Sequence, residues 1–284
     1  MFVAYLGPKG SFTHHVALES FEDGELRPYD SITEVMKAYE SAQVEYAVIP
    51  VENSIEGSVH ETIDYLFHQA RFQAIAEVVY PIKQQLLVAK KDRSIRTVYS
   101  HPQALAQGKA FLRVHYPDVA MEMTASTTYA ARYVAEHPDL EIAAIAPLAA
   151  ASEYGLEVQA RDIQEIEDNY TRFWILGAKE PAMSETLSPV LQKISLGLTL
   201  PNNLSGALYK GLSTFAWRGI NLTKIESRPL KTALGEYFFI IDLLNEAPDL
   251  VHFAYQELDS LGIQTKVLGQ YQVYTLKDNG MEKR

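Results

Sequence analysis

The sequence predicts an α/β protein whose N-terminal part alternates strands and helices and whose smaller C-terminal part has βαββαβ order. Three observations predict it. Residues 1–180 alternate short apolar runs with helical patterns, as parallel sheets flanked by helices do. Residues 178–190, from Ala178-Lys179-Glu180-Pro181 to Ser188-Pro189-Val190, have the composition of a linker. Beyond them the order becomes strand, helix, two strands, helix, strand, the split ferredoxin-like motif.

In chain order, Phe2–Leu6 reads as a strand and Thr13–Phe21 as a helix. Ile32–Ser41 is a helix opened by the capping candidates Asp30 and Ser31, and it leads to strand Tyr46–Pro50. Ser58–Phe67 is helical, Val78–Val79 and Gln84–Ala89 are strand-like, and Val98–Ser100 is a strand before helix Pro102–Val114. Thr127–Glu136 is helical, and Ala143–Ala146 is a buried strand before helix Ala149–Tyr154. Phe173-Trp174-Ile175-Leu176 is a core strand. After the linker, Ile194–Leu200 is a strand, and Leu204, Leu208, Leu212 and Phe215 repeat on one helical face. Strands Asn221–Arg228 and Glu236–Leu243, helix Pro248–Leu261 and strand Gln264–Tyr271 complete the set. A unit of this size with one open sheet face commonly pairs with a copy of itself. The tail after Leu276 is polar and expected to be loose.

With 284 residues, 47% of them apolar, the chain can bury a substantial core. No apolar run approaches the roughly 20 residues of a membrane span, and Met1–Leu6 lacks a basic leader, so a cytoplasmic protein is expected. The absence of cysteine excludes disulfides, thiolate metal sites and cysteine nucleophiles. A net charge of −11 without basic runs argues against nucleic-acid and anionic-membrane partners. An anionic ligand would need local donors.

Such donors recur at strand-to-helix turns: Gly7-Pro8-Lys9-Gly10-Ser11-Phe12-Thr13, Pro50 to Ser58 (with Glu52, Asn53 and Ser54), Ser100-His101-Pro102-Gln103, and Ala125-Ser126-Thr127-Thr128. Ser11, Ser58, Ser100 and Ser126 are N-cap candidates, and Pro102 suits a first helical turn. Several helix N-termini at one sheet edge would bind a small anion without a lysine cluster, whereas one capped turn would mean nothing. Gly7-Pro-Lys-Gly-Ser lacks the spacing of a nucleotide loop. His60-Glu61-Thr62-Ile63-Asp64 has aspartate where a zinc helix needs its second histidine, and the His14-His15 pair reads as surface, so no metal is expected. Asn169-Tyr170-Thr171-Arg172-Phe173 places polar groups and one cation at a strand end. Thr171 can donate a hydrogen bond to a departing oxygen, while Arg172 fits either a ligand cation or a structural ion pair. In the C-terminal part, Asn203-Leu204-Ser205-Gly206-Ala207-Leu208 opens a helix and Glu226-Ser227-Arg228-Pro229 ends a strand. Together they outline an amino-acid site, or an ordinary turn.

In their order and spacing, five stretches resemble the prephenate dehydratase family over essentially the whole chain. They are Gly7-Pro-Lys-Gly-Ser-Phe-Thr-His14, Pro50 to Ser58, His101-Pro-Gln-Ala-Leu105, Ser126-Thr127 with Ala130-Ala131, and Asn169 to Phe173. Departures are Gly108, where cysteine is frequent, and Pro147, where a small polar residue is usual. The resemblance implies a two-lobed catalytic domain like a type II periplasmic binding protein over 1–180, with lobes meeting near 80 and the chain returning near 160. It also implies a ferredoxin-like ACT regulatory domain over 191–276, a tail over 277–284, and no fused chorismate mutase segment. It implies decarboxylating dehydration of prephenate to phenylpyruvate with no cofactor or metal. Thr171, Arg172 and Phe173 are then the catalytic candidates. Ser11, Thr13, Glu52, Asn53, Ser54, His101, Gln103, Ser126, Thr127 and Asn169 are substrate-binding candidates. L-phenylalanine is the implied effector, at Asn203, Leu204, Gly206, Ala207, Leu208, Glu226, Ser227 and Arg228, and the implied assembly is a homodimer or a dimer-of-dimers tetramer. Arogenate as substrate, a non-catalytic amino-acid sensor and a solute-binding protein are the other readings. The Asn169–Phe173 run argues against the sensor, and the missing leader against the solute binder.

Overall fold

The apolar runs form strands and the periodic stretches form helices, with several strands longer than the runs that mark them. A computed structural model describes residues 1–91, 93–201, 205–232 and 236–277. The first elements are β1 (Phe2–Leu6), α1 (Phe12–Ser20), β2 (Glu25–Tyr29), α2 (Ile32–Glu40), β3 (Tyr46–Asn53), β4 (Gly57–Ser58), α3 (His60–His68) and β5 (Ala74–Pro81). Next come β6 (Gln85–Val88), β7 (Thr97–Ser100), α4 (Pro102–His115), β8 (Ala120–Met123), α5 (Thr127–Glu136), β9 (Ile142–Ala146), α6 (Leu148–Tyr154), β10 (Glu157–Ala160) and β11 (Tyr170–Gly177). The last are β12 (Leu187–Thr199), α7 (Ala207–Ala216), β13 (Leu222–Pro229), β14 (Tyr237–Leu244), α8 (Pro248–Ser260) and β15 (Gln264–Leu276). No helix among the described residues is long and apolar enough to cross a membrane. The chain divides into two compact units, Met1–Val59 with Val79–Phe173 and His60–Val78 with Trp174–Arg284.

The first unit holds a sheet in which β1 pairs in parallel with β2 and β3, and a five-stranded sheet of order β10-β6-β9-β7-β8. The second sheet is mixed: β7 runs parallel to β8 and β9, but β6 is antiparallel to β9 and β10. The expectation of an all-parallel arrangement is corrected there. Residues of β6 and β9 alternate between two cores. Leu86, Val88, Ala143 and Ile145 pack with Leu105 and Leu112 of α4. Leu87, Ala144 and Ala146 pack with Ala130, Ala131 and Val134 of α5 and Ala150 of α6. Gly108 lets α4 lie close, since a Cβ there would come 2.6 Å from Ile145 Cδ1.

Strands β2, β8 and β10 were not legible in the sequence. All three are sheet edges without a buried residue, so they carry no apolar alternation. The stretch read as linker is partly strand, because β12 begins at Leu187 and accommodates Pro189 with a register shift. Two capping expectations are overturned. Ser100 ends β7 and donates instead to the Ile145 carbonyl (2.6 Å), leaving His101 as the N-cap of α4 without a side-chain bond. Ser58 lies in the β3–β4 hairpin opposite Glu52. Ser11, Ser31 and Ser126 cap as expected, accepting from the amides of His14, Glu34 and Tyr129.

The histidine pair is not a surface feature. His14 stacks on Tyr5 (5.0 Å between centroids) and accepts the Gly10 amide at Nδ1, and His15 Nδ1 lies 2.7 Å from the Tyr80 hydroxyl. Burial lowers the pKa of both rings, against the opposing charges of Glu153 and Glu19.

In the second unit, antiparallel strands order as β13-β14-β12-β15, with α7 and α8 on one face. That face carries Ile194, Leu196, Leu198, Ile241 and Leu243 against Phe215, Val251, Ala254 and Leu258. The opposite face is covered by α3. Phe67 stacks flat on Phe238 (3.7 Å, 9°), and Lys266 Nζ donates to the carbonyls of Phe67 and Ala70 at the helix end. The buried Glu77 carboxylate accepts from the Trp174 indole (2.9 Å) and lies 3.8 Å from Lys193 Nζ.

Two expectations follow. A Cβ at Gly197 would stand 2.5 Å from the Phe67 ring, which Phe238 prevents from retreating. Gly197→Ala should therefore cost about 1–3 kcal/mol in denaturant unfolding of the full chain. The lowered folded pKa values of His14 and His15 mean that the unfolded chain binds protons first as pH falls. Stability is then present above the ordinary value of 6.5 and lost as pH drops below it. The urea midpoint should fall between about pH 7.5 and about pH 5.5, and a flat profile would contradict the burial argument.

Candidate active site

The geometry centres on Asn53, the last residue of β3, where the hairpin to β4 turns at Gly57 (φ +82°). The Asn53 side-chain oxygen accepts the amides of Ile55 (3.0 Å) and Glu56 (3.1 Å), which fixes the turn and the orientation of the carboxamide. Its Nδ2 then points at β11, donating to Asn169 Oδ1 (2.8 Å), Thr171 Oγ1 (2.9 Å) and the Tyr170 carbonyl (3.2 Å). Ser54 closes the junction. Its amide donates to the Tyr170 carbonyl and its hydroxyl accepts from the Tyr170 amide (3.0 Å). Asn169 is 2% exposed and Thr171 8%, so this hydroxyl sits in a nearly dry environment.

Successive side chains of a strand face opposite ways, so Thr171 and Arg172 diverge. Arg172 Nη1 donates to Glu52 Oε2 at 2.6 Å, a half-buried pair on the other side of β3 and β11. Of the two readings open for Arg172, an ion pair is what the side chain makes here. Phe173 is fully buried in the body of the strand.

The helix N-termini expected at the site belong to α1, α4 and α5. Ser11 caps α1 and Thr13 is buried in its first turn. His101 precedes α4, whose first residues Pro102 and Gln103 follow, and Ser126 and Thr127 open α5. Gln103 Nε2 reaches Asn53 Oδ1 at 3.5 Å, linking the second sheet's α4 to the cluster. The Gly7–Thr13 loop approaches α5 and α6 closely. A Cβ at Gly10 (φ +81°) would lie 3.2 Å from Ala150 Cα and 3.5 Å from Thr128 Cγ2, and Tyr154 Oη donates to the Lys9 carbonyl. Only glycine meets both demands. Pro147 precedes α6 as an N-cap without a side-chain donor or acceptor, so that helix start, like that of α4, has no side-chain cap. No group of three or more histidine, aspartate or glutamate side chains suited to a metal occurs among the described residues.

Sequence reasoning missed the role of Ser54 in the junction and the approach of the Gly10 loop to α6. The glycine pair around Pro8-Lys9 was the available signal for the latter. In the second unit, Gly206 is the left-handed N-cap of α7 (φ +68°), followed by Ala207 and Leu208. Register places Arg228 and Thr199 opposite Phe238, so the ends of β12 and β13 lie at one end of the sheet. Glu226 pairs with His60 and Lys224, and Arg228 with Asp64. Ser227 lies between them on β13. Asn203 and Leu204 lie outside the described residues.

A family model described as prephenate dehydratase matches residues 3–181. A prephenate dehydratase from Lactococcus lactis subsp. lactis is 49% identical over 97% of this chain and 99% of its own. The solved prephenate dehydratase of Streptococcus mutans is 45% identical over 97% and 100% of the two chains, with a TM-score of 0.63. That of Arthrobacter aurescens, described as a complex with L-Phe, is 30% identical over 95% and 90%, with a TM-score of 0.82. With that family model spanning more than half the chain, over the residues that carry Asn53 and Thr171, and a relative of near-equal length at 49% identity, the chain belongs to the prephenate dehydratase family.

Proposed function

We propose that the chain converts prephenate to phenylpyruvate, with Thr171 as the donor to the departing hydroxyl. The ring C–C bond to the carboxylate breaks, and its electron pair enters the ring. The C–O bond on the opposite carbon breaks, and one proton makes the leaving hydroxide into water, so prephenate and a proton give phenylpyruvate, carbon dioxide and water. The observation that carries the assignment is the 2.9 Å bond from Asn53 Nδ2 to Thr171 Oγ1. Because Thr171 accepts there, its own proton is directed elsewhere, toward a ligand oxygen. A hydroxyl with no accessible pKa still stabilises developing charge when it is fixed in a dry site.

The two carboxylates of the substrate are assigned to helix N-termini: Ser11 and Thr13 of α1, His101 and Gln103 of α4, and Ser126 and Thr127 of α5. Arg172 remains a catalytic candidate through its charge, which Glu52 offsets in the absence of substrate, and Phe173 backs the strand. Asn169 and Ser54 hold Asn53 and β11 together. The two sheets of the first unit correspond in this reading to two lobes like those of a type II periplasmic binding protein, joined near residues 80 and 160, within a catalytic region of 1–180.

The βαββαβ order over 191–276 supports an ACT regulatory domain, with 277–284 as a tail. L-phenylalanine would bind at Gly206, Ala207, Leu208, Glu226, Ser227 and Arg228, with Asn203 and Leu204 completing the site. A homodimer or dimer-of-dimers tetramer fits the edge strand β13, which leaves main-chain groups for pairing.

Thr171→Ala should lower kcat at least a hundredfold in an ultraviolet assay of phenylpyruvate, with KM changed little, and near-normal turnover would end the assignment. Truncation at the linker would strip α3 and β5 of partners, so the effector site is better tested by point substitution. Glu226→Gln should weaken calorimetric phenylalanine binding at least tenfold while prephenate KM is unchanged.

A further inference from the structure

Helix α3 bears three anchors on the second unit, spaced so that they share one helical face. His60 Nε2 lies 3.3 Å from Glu226 Oε1. Asp64 takes Arg228 with both oxygens, at 3.2 and 3.1 Å from Nη2 and 3.3 Å from Nε, and Lys231 Nζ at 2.7 Å. Phe67 stacks on Phe238. At the other end, Val59 alone separates α3 from β4, whose Gly57 pairs with Asn53. A displacement of α3 therefore reaches, through three residues of chain, the hairpin that carries Asn53, and Asn53 holds the Thr171 hydroxyl.

Two of these anchors sit on residues that the effector reading gives to an amino acid. A ligand carboxylate that meets Arg228 at Nε and Nη2 takes the place of Asp64 there, and a ligand ammonium at Glu226 meets a carboxylate already beside His60 and Lys224. Two groups that compete for one partner are coupled reciprocally: weakening one strengthens the other.

We propose that Asp64 is a positioning residue whose ion pair with Arg228 and Lys231 keeps α3, and through it the Asn53 hairpin, in the catalytic arrangement, and that an amino-acid carboxylate at Arg228 inhibits by displacing Asp64. The second half rests on the effector reading above. The first stands on the geometry alone.

The test is Asp64→Asn in the full-length chain, which keeps shape and removes charge. The expected result is a three- to tenfold fall in kcat with prephenate KM within twofold, together with three- to tenfold tighter phenylalanine binding by calorimetry. Asp64→Glu should recover part of both. A merely structural role would lower the melting temperature and leave kcat and phenylalanine affinity of the folded protein unchanged, and that result overturns the proposal. Weaker phenylalanine binding overturns the competition. If the wild-type chain binds no phenylalanine, the effector reading and the competition fail together, and the anchor stands or falls on the kcat of Asp64→Asn. Should that variant not fold, Lys231→Met removes an exposed partner of Asp64. It should shift kcat and affinity in the same directions by smaller factors, and no shift in either overturns the proposal.

Discussion

The geometry of the candidate site depends on the carboxamide of one residue. Asn53 has a donor side and an acceptor side, and its own hairpin claims the acceptor through the amides of Ile55 and Glu56. The donor is thereby committed to β11, where it meets Asn169, Tyr170 and Thr171. A carboxylate of the same shape would present oxygen to three acceptors, and an aliphatic side chain would leave a nearly buried threonine hydroxyl and asparagine oxygen without a donor. The role proposed for Thr171 needs a hydroxyl whose proton is free of the protein framework. That freedom comes from Thr171 serving as acceptor within it.

An acidic protein that handles a dianion meets an electrostatic difficulty, because its net charge of −11 opposes approach. The proposed site answers with partial charges. Of the three helix starts assigned to it, that of α4 carries no side-chain cap, and the Gly10 loop lies against α5 and α6 because that residue has no Cβ. The only arginine of the Asn169–Phe173 run is half neutralised by Glu52 at 2.6 Å. A paired cation costs less to bury than a lone one, but an anion would gain fully from it only as the Glu52 carboxylate gave way. Backbone amides do not have to be uncovered in this way, which is why they suit the permanent part of an anion site.

Much of this was legible in the sequence, and the failures have physical causes. The Thr171 and Asn53 segments could each be marked as polar turns beside core strands, but their bond spans 118 residues and no local pattern encodes it. Ser100 looks like a cap because serine precedes proline at a helix start. It fails because Ser100 is still the last residue of β7, one position before the N-cap His101, with its hydroxyl turned to the Ile145 carbonyl of the neighbouring strand. The edge strands β2, β8 and β10 were invisible since an exposed edge imposes no apolar alternation. The allegiance of α3 was the largest omission. His60-Glu-Thr-Ile-Asp-Tyr-Leu-Phe-His reads as an ordinary amphipathic helix, and its partners Arg228 and Lys266 lie 164 and 199 residues from Asp64 and Phe67.

That omission has consequences for how the protein works as one object. The chain passes between its units at 59/60, 78/79 and 173/174. The first crossing lies two residues beyond Gly57, the hairpin partner of Asn53, and the last lies two residues beyond Thr171. On the far side of each crossing the chain is firmly held: α3 by Asp64, Phe67 and the Lys266 ammonium, and Trp174 by the buried Glu77 carboxylate. The two residues joined by that hydrogen bond thus lie on the chain segments that lead into two of the three crossings. A hydrogen bond loses much of its worth within a few tenths of an ångström and with modest misalignment. The Asn53–Thr171 contact is therefore more sensitive to a small shift of either strand end than the packed cores of the first unit, which resist continuous deformation.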